Sequence, residues 1–272
     1  MRAARASLHM WEEPPISGKN GSGAIFFSGC TLQCCYCQNY KISANQFGQE
    51  ISSDSLASVM LRLQRQGAHN INLVTPTQFV PQIIAALEQV RDALHIPVVY
   101  NSSGYENVET IEALCGYVDV YLPDVKYRSA ERAQRYSHAA DYFEKASAAV
   151  VAMQRQVGPV VLTREGLMKR GVLIRHLVLP GGYRDSIDLL GWIYHTFGTE
   201  GVHVSLMRQY TPCYQSSRYP EIDRRLTTFE YEKVAQCAAE LGLKGYSQQK
   251  EAASTDFIPR FDLSGLQADN KR

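Results

Sequence analysis

The sequence predicts an α/β fold, an open partial barrel of six β/α units with parallel strands. Three observations carry that prediction. Short apolar runs of strand length recur along the chain, helical stretches separate them one by one, and the count stops at six, too few for a closed eight-stranded barrel.

The first strand is read at residues 23–29 (GAIFFSG), apolar and aromatic between glycines that permit tight turns. It delivers the chain directly to Cys30. Five further strands are read at 71–74, 97–100, 118–122, 172–179 and 202–206. Helices are expected at 55–66, 80–94, 108–115, 130–153 and 187–197, with Ser53 or Asp54 capping the first, and a last helix at 228–241 follows the sixth strand. Parallel α/β architectures gather reactive groups at the carboxyl ends of their strands, where Cys30, Thr75, Asn101, Asp124 and Gln209 stand.

No Pro/Gly/Ser-rich stretch, charge run or low-complexity segment divides the 272 residues. One domain is therefore expected over 1–272, with its core from about 20 to 248 and a C-terminal tail at 249–272. The 28 Lys+Arg against 27 Asp+Glu give a formal charge of +1, too little excess to hold a polyanion, so nucleic acid is not the expected partner. No apolar run approaches the roughly 20 residues of a membrane span, and the start lacks the apolar centre of a signal peptide. A cytoplasmic location follows as the expectation.

Seven cysteines, four of them within 30–37, do not form the even, dispersed pattern of a secreted disulfide scaffold. Cys30, Cys34 and Cys37 have the spacing CxxxCxxC, which can wrap three soft thiolates around three corners of a four-iron four-sulfur (4Fe–4S) cube. The fourth corner then lacks a protein ligand, and its iron can chelate the amino and carboxylate groups of S-adenosylmethionine (SAM). A structural zinc site usually takes two ligand pairs, and no second pair follows, since Cys115, Cys213 and Cys237 are isolated. An electron-carrying ferredoxin would need a fourth cluster ligand. Cys35, adjacent to Cys34, is read as a bystander thiol. The Tyr36 ring either packs in the core or lies against the adenine.

The motifs WEEPPISG, GSGAIFFSGC, CQNYKIS, NLVTPTQ, YNSSGY, LPDVKY, IRHLVLPGG and MRQYTP occur in that order between about Trp11 and about Gln248. In them the chain resembles the activating enzymes of glycyl-radical enzymes, typified by pyruvate formate-lyase activating enzyme, and within that family its PflX-like branch. The resemblance implies a partial barrel of the radical SAM type, a 4Fe–4S cluster, and cleavage of SAM to a 5′-deoxyadenosyl radical. It also implies a glycyl-radical enzyme as the partner that loses a hydrogen from a glycine Cα, and a flavodoxin or ferredoxin as electron donor.

By position, Thr75, Pro76 and Thr77 stand where relatives hold the SAM amino group on a GGE turn. Asn101 and Ser102 match a polar pair near the ribose and methionyl group, with an amide at Asn101 where an acid is common. Asp124 and Lys126 match an Asp-x-Lys pair directed at SAM, and an ordinary exposed ion pair is the plainer reading. Arg175 matches an arginine that reaches the SAM carboxylate, whereas its neighbour His176 points to the other face of its strand and is read as structural. Gln209 and Tyr210 stand where relatives contact the ribose or the partner. Relatives often carry a cysteine-bearing segment before WEEP, which leaves a truncated or split form open. Two other functions compete: radical chemistry on a small molecule or another peptide, and a noncatalytic iron–sulfur or zinc module.

Overall fold

The computed structural model describes residues 1–247 and 259–267. Its strands are β1 (Arg2–His9), β2 (Ser22–Phe27), β3 (Gln49–Glu50), β4 (Ile71–Val74), β5 (Val98–Ser102), β6 (Val120–Pro123), β7 (Val161–Leu162), β8 (Met168–Leu177), β9 (His203–Met207) and β10 (Gly245–Ser247). The helices are α1 (Pro14–Ser17), α2 (Tyr40–Ser43), α3 (Ser53–Arg65), α4 (Val80–Val90), α5 (Val108–Ala113), α6 (Ala130–Ser137), α7 (Tyr142–Val157), α8 (Tyr183–Phe197) and α9 (Thr228–Glu240).

One sheet runs β10-β9-β8-β6-β5-β4-β2-β1-β3, with β7 paired to β8. From β2 through β10 the neighbours along that order are parallel, whereas β1 is antiparallel to both β2 and β3. All six expected strands are present. Among the described residues no pairing joins the two ends, so the barrel is partial and open on one side.

Alternation along the strands divides the core. Ile25, Phe27, Ile71, Leu73, Tyr100, Tyr121, Val172 and Ile174 pack outward against helices, while Val99, Val120, Leu122 and Leu173 face inward. The helices form where small polar caps meet apolar spacing of three and four. In α3 the Ser52 hydroxyl accepts from Ser55 N at 3.1 Å, and Leu56, Val59, Met60 and Leu63 are buried on one face. At α9, Thr227 and Glu230 close a reciprocal capping box.

Three expectations are corrected. The helix read at 130–153 is two helices, because His138 takes a left-handed conformation (φ 55°, ψ 30°) that ends α6. The periodicity runs on across the break and hides it. The core does not begin near residue 20, since β1 lies against β2 with Ala3, Ala4 and Ala6 buried. Its small side chains lack the β-branched bulk by which strands are recognised. Nor is 259–267 a tail: Leu263 N donates to Ala4 O and Ala6 N to Ser264 O, each at 2.9 Å, and Leu266 is buried. The rest of the expected tail, 249–258 and 268–272, lies outside the described residues.

The segment 11–18 lies inside the barrel. Ile16 is fully buried with Val99, Val120, Leu122, Met168 and Leu173, closing the bottom of the barrel. Asn70 Nδ2 donates to Ile16 O at 2.7 Å, and Gly18, at φ 50°, turns the chain where a Cβ would sit 2.6 Å from Leu167. Anchored there, the segment carries Glu12 and Glu13 inward. Among the described residues no helix is long and apolar enough to cross a membrane.

Candidate active site

The cysteine loop leaves the end of β2 through Ser28 and Gly29. Gly29 adopts φ 91°, which favours glycine, and its N–H donates to Ile42 O at 2.8 Å. The Gln78 amide pins this exit to the end of β4, with Nε2 donating to Ser28 O (3.0 Å), Gly29 O (3.1 Å) and Thr75 O (3.2 Å). Its Oε1 is buried with no partner.

Cys34 is buried and receives the Ser137 hydroxyl at 3.0 Å, while Cys37 Sγ lies 3.2 Å from Ser43 Oγ. Cys30 and Cys37 are half-buried. Cys35 is held through its backbone, with its N–H on Tyr136 O and its carbonyl accepting from Gln215 N, each at 2.8 Å. Cys213, which sequence spacing leaves isolated, packs on the same loop and its thiol donates to Tyr36 O at 3.2 Å. Burial pushes the Cys30 and Cys35 thiols up to about 12, so a metal must displace a proton at Cys30 on binding. Among the described residues no three of His, Cys, Asp and Glu converge as the ligands of a single metal ion do. Thiolates at three separate corners of a cube need not converge in that way.

Behind the loop, the ends of β5, β6 and β8 and the segment 11–18 build a charged floor. Arg175 Nε donates to Asp124 Oδ1 (2.9 Å), one Nη to Glu12 Oε1 (2.8 Å) and the other to Asn101 Oδ1 (2.7 Å). Lys126 Nζ reaches Asp124 Oδ2 at 2.6 Å, and Glu12 Oε2 accepts from Asn72 Nδ2 (3.1 Å) and Asn101 Nδ2 (3.0 Å). Burial alone would raise the Asp124 carboxyl, but Arg175 and Lys126 hold it below the ordinary carboxylate range. Two cations face two carboxylates. Glu13 has no such partner among them: burial pushes it up to about 7 against the pull of Arg175, and Ser205 donates to it at 2.7 Å.

A cavity of about 240 Å³ lies between the loop and the floor. It is lined by Cys34, Tyr36, Cys37, Asn101, Asp124, Lys126, Arg175 and Gln209, together with His9, Trp11 and Glu12. An adjoining cavity of about 300 Å³ shares Trp11, Glu12, Arg175, Met207 and Gln209 and adds Glu13 and Tyr246. Eight expected site residues thus meet around one space.

The others lie elsewhere. Cys30 stands on the loop without lining the cavity. Ser102 faces the back of the sheet, where its hydroxyl accepts from Gly104 N at 3.2 Å, because alternation along β5 turns Val99 and Asn101 inward and Ser102 outward. Thr75 is strained at φ 58°, and Thr77 donates to Glu106 Oε1 at 2.6 Å, so the Thr75–Thr77 turn is braced from behind by a buried acid. The plain reading of Asp124 and Lys126 as an exposed pair is corrected, as their side chains are 18% and 16% exposed. Tyr36 is buried, its hydroxyl 2.5 Å from that of Tyr127, which ties its outer end to the core rather than to a ligand. His176 is structural as expected, with its ring nitrogens 2.7 Å from Val125 O and 2.8 Å from Ser186 Oγ.

Sequence reading missed Glu12, Glu13, Gln78, Glu106 and Ser137. Two acids between Trp11 and Pro14-Pro15-Ile16 are a signal, since acids embedded in an apolar segment need partners. Glu106 gives a pH test. Burial lifts its carboxyl from the ordinary 4.5 to about 7. Between those values the unfolded chain releases the proton and the folded chain keeps it, so this group makes stability fall as pH rises, by about 3 kcal/mol, and then level off. Urea unfolding at pH 5 and 7.5 should show a smaller decline in Glu106→Gln than in the parent. Equal declines would remove Glu106 from this role.

The comparisons agree with this geometry. A family model described as the Radical SAM superfamily matches residues 24–177, from β2 to the end of β8. The chain belongs to the radical SAM superfamily. Radical SAM enzymes use a 4Fe–4S cluster and SAM, and these are the cofactors of this chain. An uncharacterized protein of Methanocaldococcus jannaschii is 31% identical over 246 residues, spanning 87% of this chain and 66% of its own length. Among solved structures, methylornithine synthase (PylB) superposes with a TM-score of 0.56 at 13% identity, covering 82% of this chain and 70% of its own. SuiB of Streptococcus suis, solved with SAM bound, gives 0.52 at 12% identity, covering 83% and 48%. The present chain thus spans about half the length of SuiB and two thirds of the archaeal relative. At these identities the structural neighbours share the fold.

Proposed function

We propose that this radical SAM enzyme is an activase of the glycyl-radical type, in which Cys30, Cys34 and Cys37 ligate the cluster and the cavity beside them receives SAM. When bound, the reduced cluster and SAM supply a 5′-deoxyadenosyl radical with release of methionine. The protein's contribution is to bind, orient and exclude water.

The observation that carries this reading is that two of the three thiols and the Asp124–Lys126–Arg175–Glu12 floor face the same cavity. SAM carries an ammonium, a carboxylate and a sulfonium, and a floor with paired charges of both signs can meet each without a large change in net charge. Lys126, with hydrogens to spare beyond Asp124, is the cation suited to the carboxylate. Arg175 holds Glu12, Asp124 and Asn101 in place, so it acts on that carboxylate through the floor. The backbone carbonyls of the Thr75–Thr77 turn, which follows the cavity-lining Val74, are acceptors suited to the ammonium. Asn101 and Gln209 suit the ribose, and the Tyr36 ring forms a wall of the space. The departures from GGE and from an acid at Asn101 are then met by neutral acceptors.

For the acceptor of the radical, the resemblance in the eight motifs supports a glycine Cα of a partner glycyl-radical enzyme, with a flavodoxin or ferredoxin as electron source. Anaerobic reconstitution with iron and sulfide, followed by dithionite and SAM, should release 5′-deoxyadenosine. Addition of a glycyl-radical enzyme should then give the electron paramagnetic resonance doublet of a glycyl radical. Zinc in place of the cluster would sink the whole reading. Release of 5′-deoxyadenosine with no radical on any glycyl-radical enzyme would sink the partner alone.

A further inference from the structure

Cys34 stands at the end of a buried file of hydroxyls. Ser137 Oγ is 3.0 Å from Cys34 Sγ, Tyr127 OH is 2.8 Å from Ser137 Oγ, and Tyr36 OH is 2.5 Å from Tyr127 OH. Ser137, Tyr127 and Tyr36 are 2%, 1% and 6% exposed, so water does not supply alternatives. The break between α6 and α7 at His138 makes Ser137 the last residue of its helix and sets it against the thiol loop, whose Cys35 N–H is bonded one residue earlier, to Tyr136 O.

Each hydroxyl has one proton to give. A ligated thiolate has none, and is an acceptor only. Ser137 therefore donates to Cys34, which leaves its oxygen to accept from Tyr127, which in turn accepts from Tyr36. The reverse order would leave the thiolate without this donor. Three aligned hydrogen bonds in a low-dielectric setting polarise one another, each strengthened by about 10–30%.

We propose that the Tyr36–Tyr127–Ser137 file is a positioning device that raises the reduction potential of the cluster through Cys34. The proposal rests on Cys34 being a cluster ligand. One-electron reduction adds negative charge to the cluster and its thiolates without moving a proton, the electron coming from a low-potential carrier or dithionite. Hydrogen bonds to the sulfur stabilise the more negative form, so they favour the reduced state. Ser137 and Tyr127 act through Cys34; neither is a catalytic residue. Tyr36, at the far end, also lines the cavity.

The test is a redox titration of the reconstituted, cluster-loaded protein, followed by electron paramagnetic resonance of the reduced cluster. In Ser137→Ala the reduced-to-oxidised ratio at a fixed potential should fall about tenfold, a midpoint shift of about 59 mV to the negative for one electron. Iron content should stay at the parent level. Tyr127→Phe keeps the ring and Ser137 but breaks the file, and should shift the midpoint in the same direction by less. Ser137→Thr retains the hydroxyl and should restore it. A midpoint unchanged in Ser137→Ala at full iron loading overturns the proposal, and if Ser137→Ala fails to load, an unchanged midpoint in Tyr127→Phe does so. Full loading in Cys34→Ala would instead overturn the ligand assignment beneath it.

Discussion

Replacing Cys30, Cys34 or Cys37 by alanine is expected to abolish iron loading and SAM cleavage, whereas Cys35→Ala should keep both near the parent level. The contrast follows from how the loop is held. Cys34 and Cys37 face the cavity, and Cys30 sits at the Gly29 exit pinned by Gln78. A cube with three protein thiolates has no spare ligand, so the loss of one is a loss of the cluster. Cys35 contributes its backbone, through Tyr136 O and Gln215 N, and alanine preserves both bonds. Iron and sulfide analysis with product chromatography reads the result. Cleavage retained in Cys34→Ala, or lost in Cys35→Ala with the protein folded, would reject the assignment of the three ligands.

Arg175→Ala is expected to be the most destabilising change in the charged floor. It leaves Glu12 and Asp124, 12% and 18% exposed, without their shared cation. Breaking a buried pair in this way costs about 3–5 kcal/mol, with the lower end suited to side chains that keep some solvent. By contrast Lys244–Glu200, 52% and 71% exposed, should contribute about 0–1 kcal/mol. Denaturant unfolding of Arg175→Ala should show the larger loss, and adding Glu12→Gln should recover part of it by removing one stranded charge. SAM affinity should weaken while iron content stays near normal, because the guanidinium touches the floor and not the thiols. A loss no larger than that of Lys244→Ala would mean that the floor does not depend on its arginine.

The strands and the thiol loop were legible in the sequence because each is a local signal. Apolar runs such as Ile71–Val74 mark themselves, and four cysteines within eight residues, three of them at CxxxCxxC spacing, announce a soft-metal site. The floor was only half legible. Asp124 follows a strand end and could be placed, and Lys126 and Arg175 were reached through the motifs that carry the resemblance, but Glu12 meets Arg175 across 163 residues and no periodicity encodes that meeting. Ser102 was misplaced because a dipeptide in a strand sends its members to opposite faces, and the motif does not say which faces inward. Ser137 was hidden because a left-handed residue at His138, unremarkable in sequence, ends a helix whose pattern continues beyond it. β1 was missed because alanine is a poor advertisement for a strand.

The file of hydroxyls and the arginine clasp both join stretches made at very different moments of synthesis. When the thiol loop emerges from the ribosome, the serine that will shelter Cys34 is 103 residues away and still unmade. Until roughly the whole sheet has been translated, those sulfurs are open to oxygen and stray metals. A cell that makes this protein therefore has reason to deliver iron late, to a finished chain.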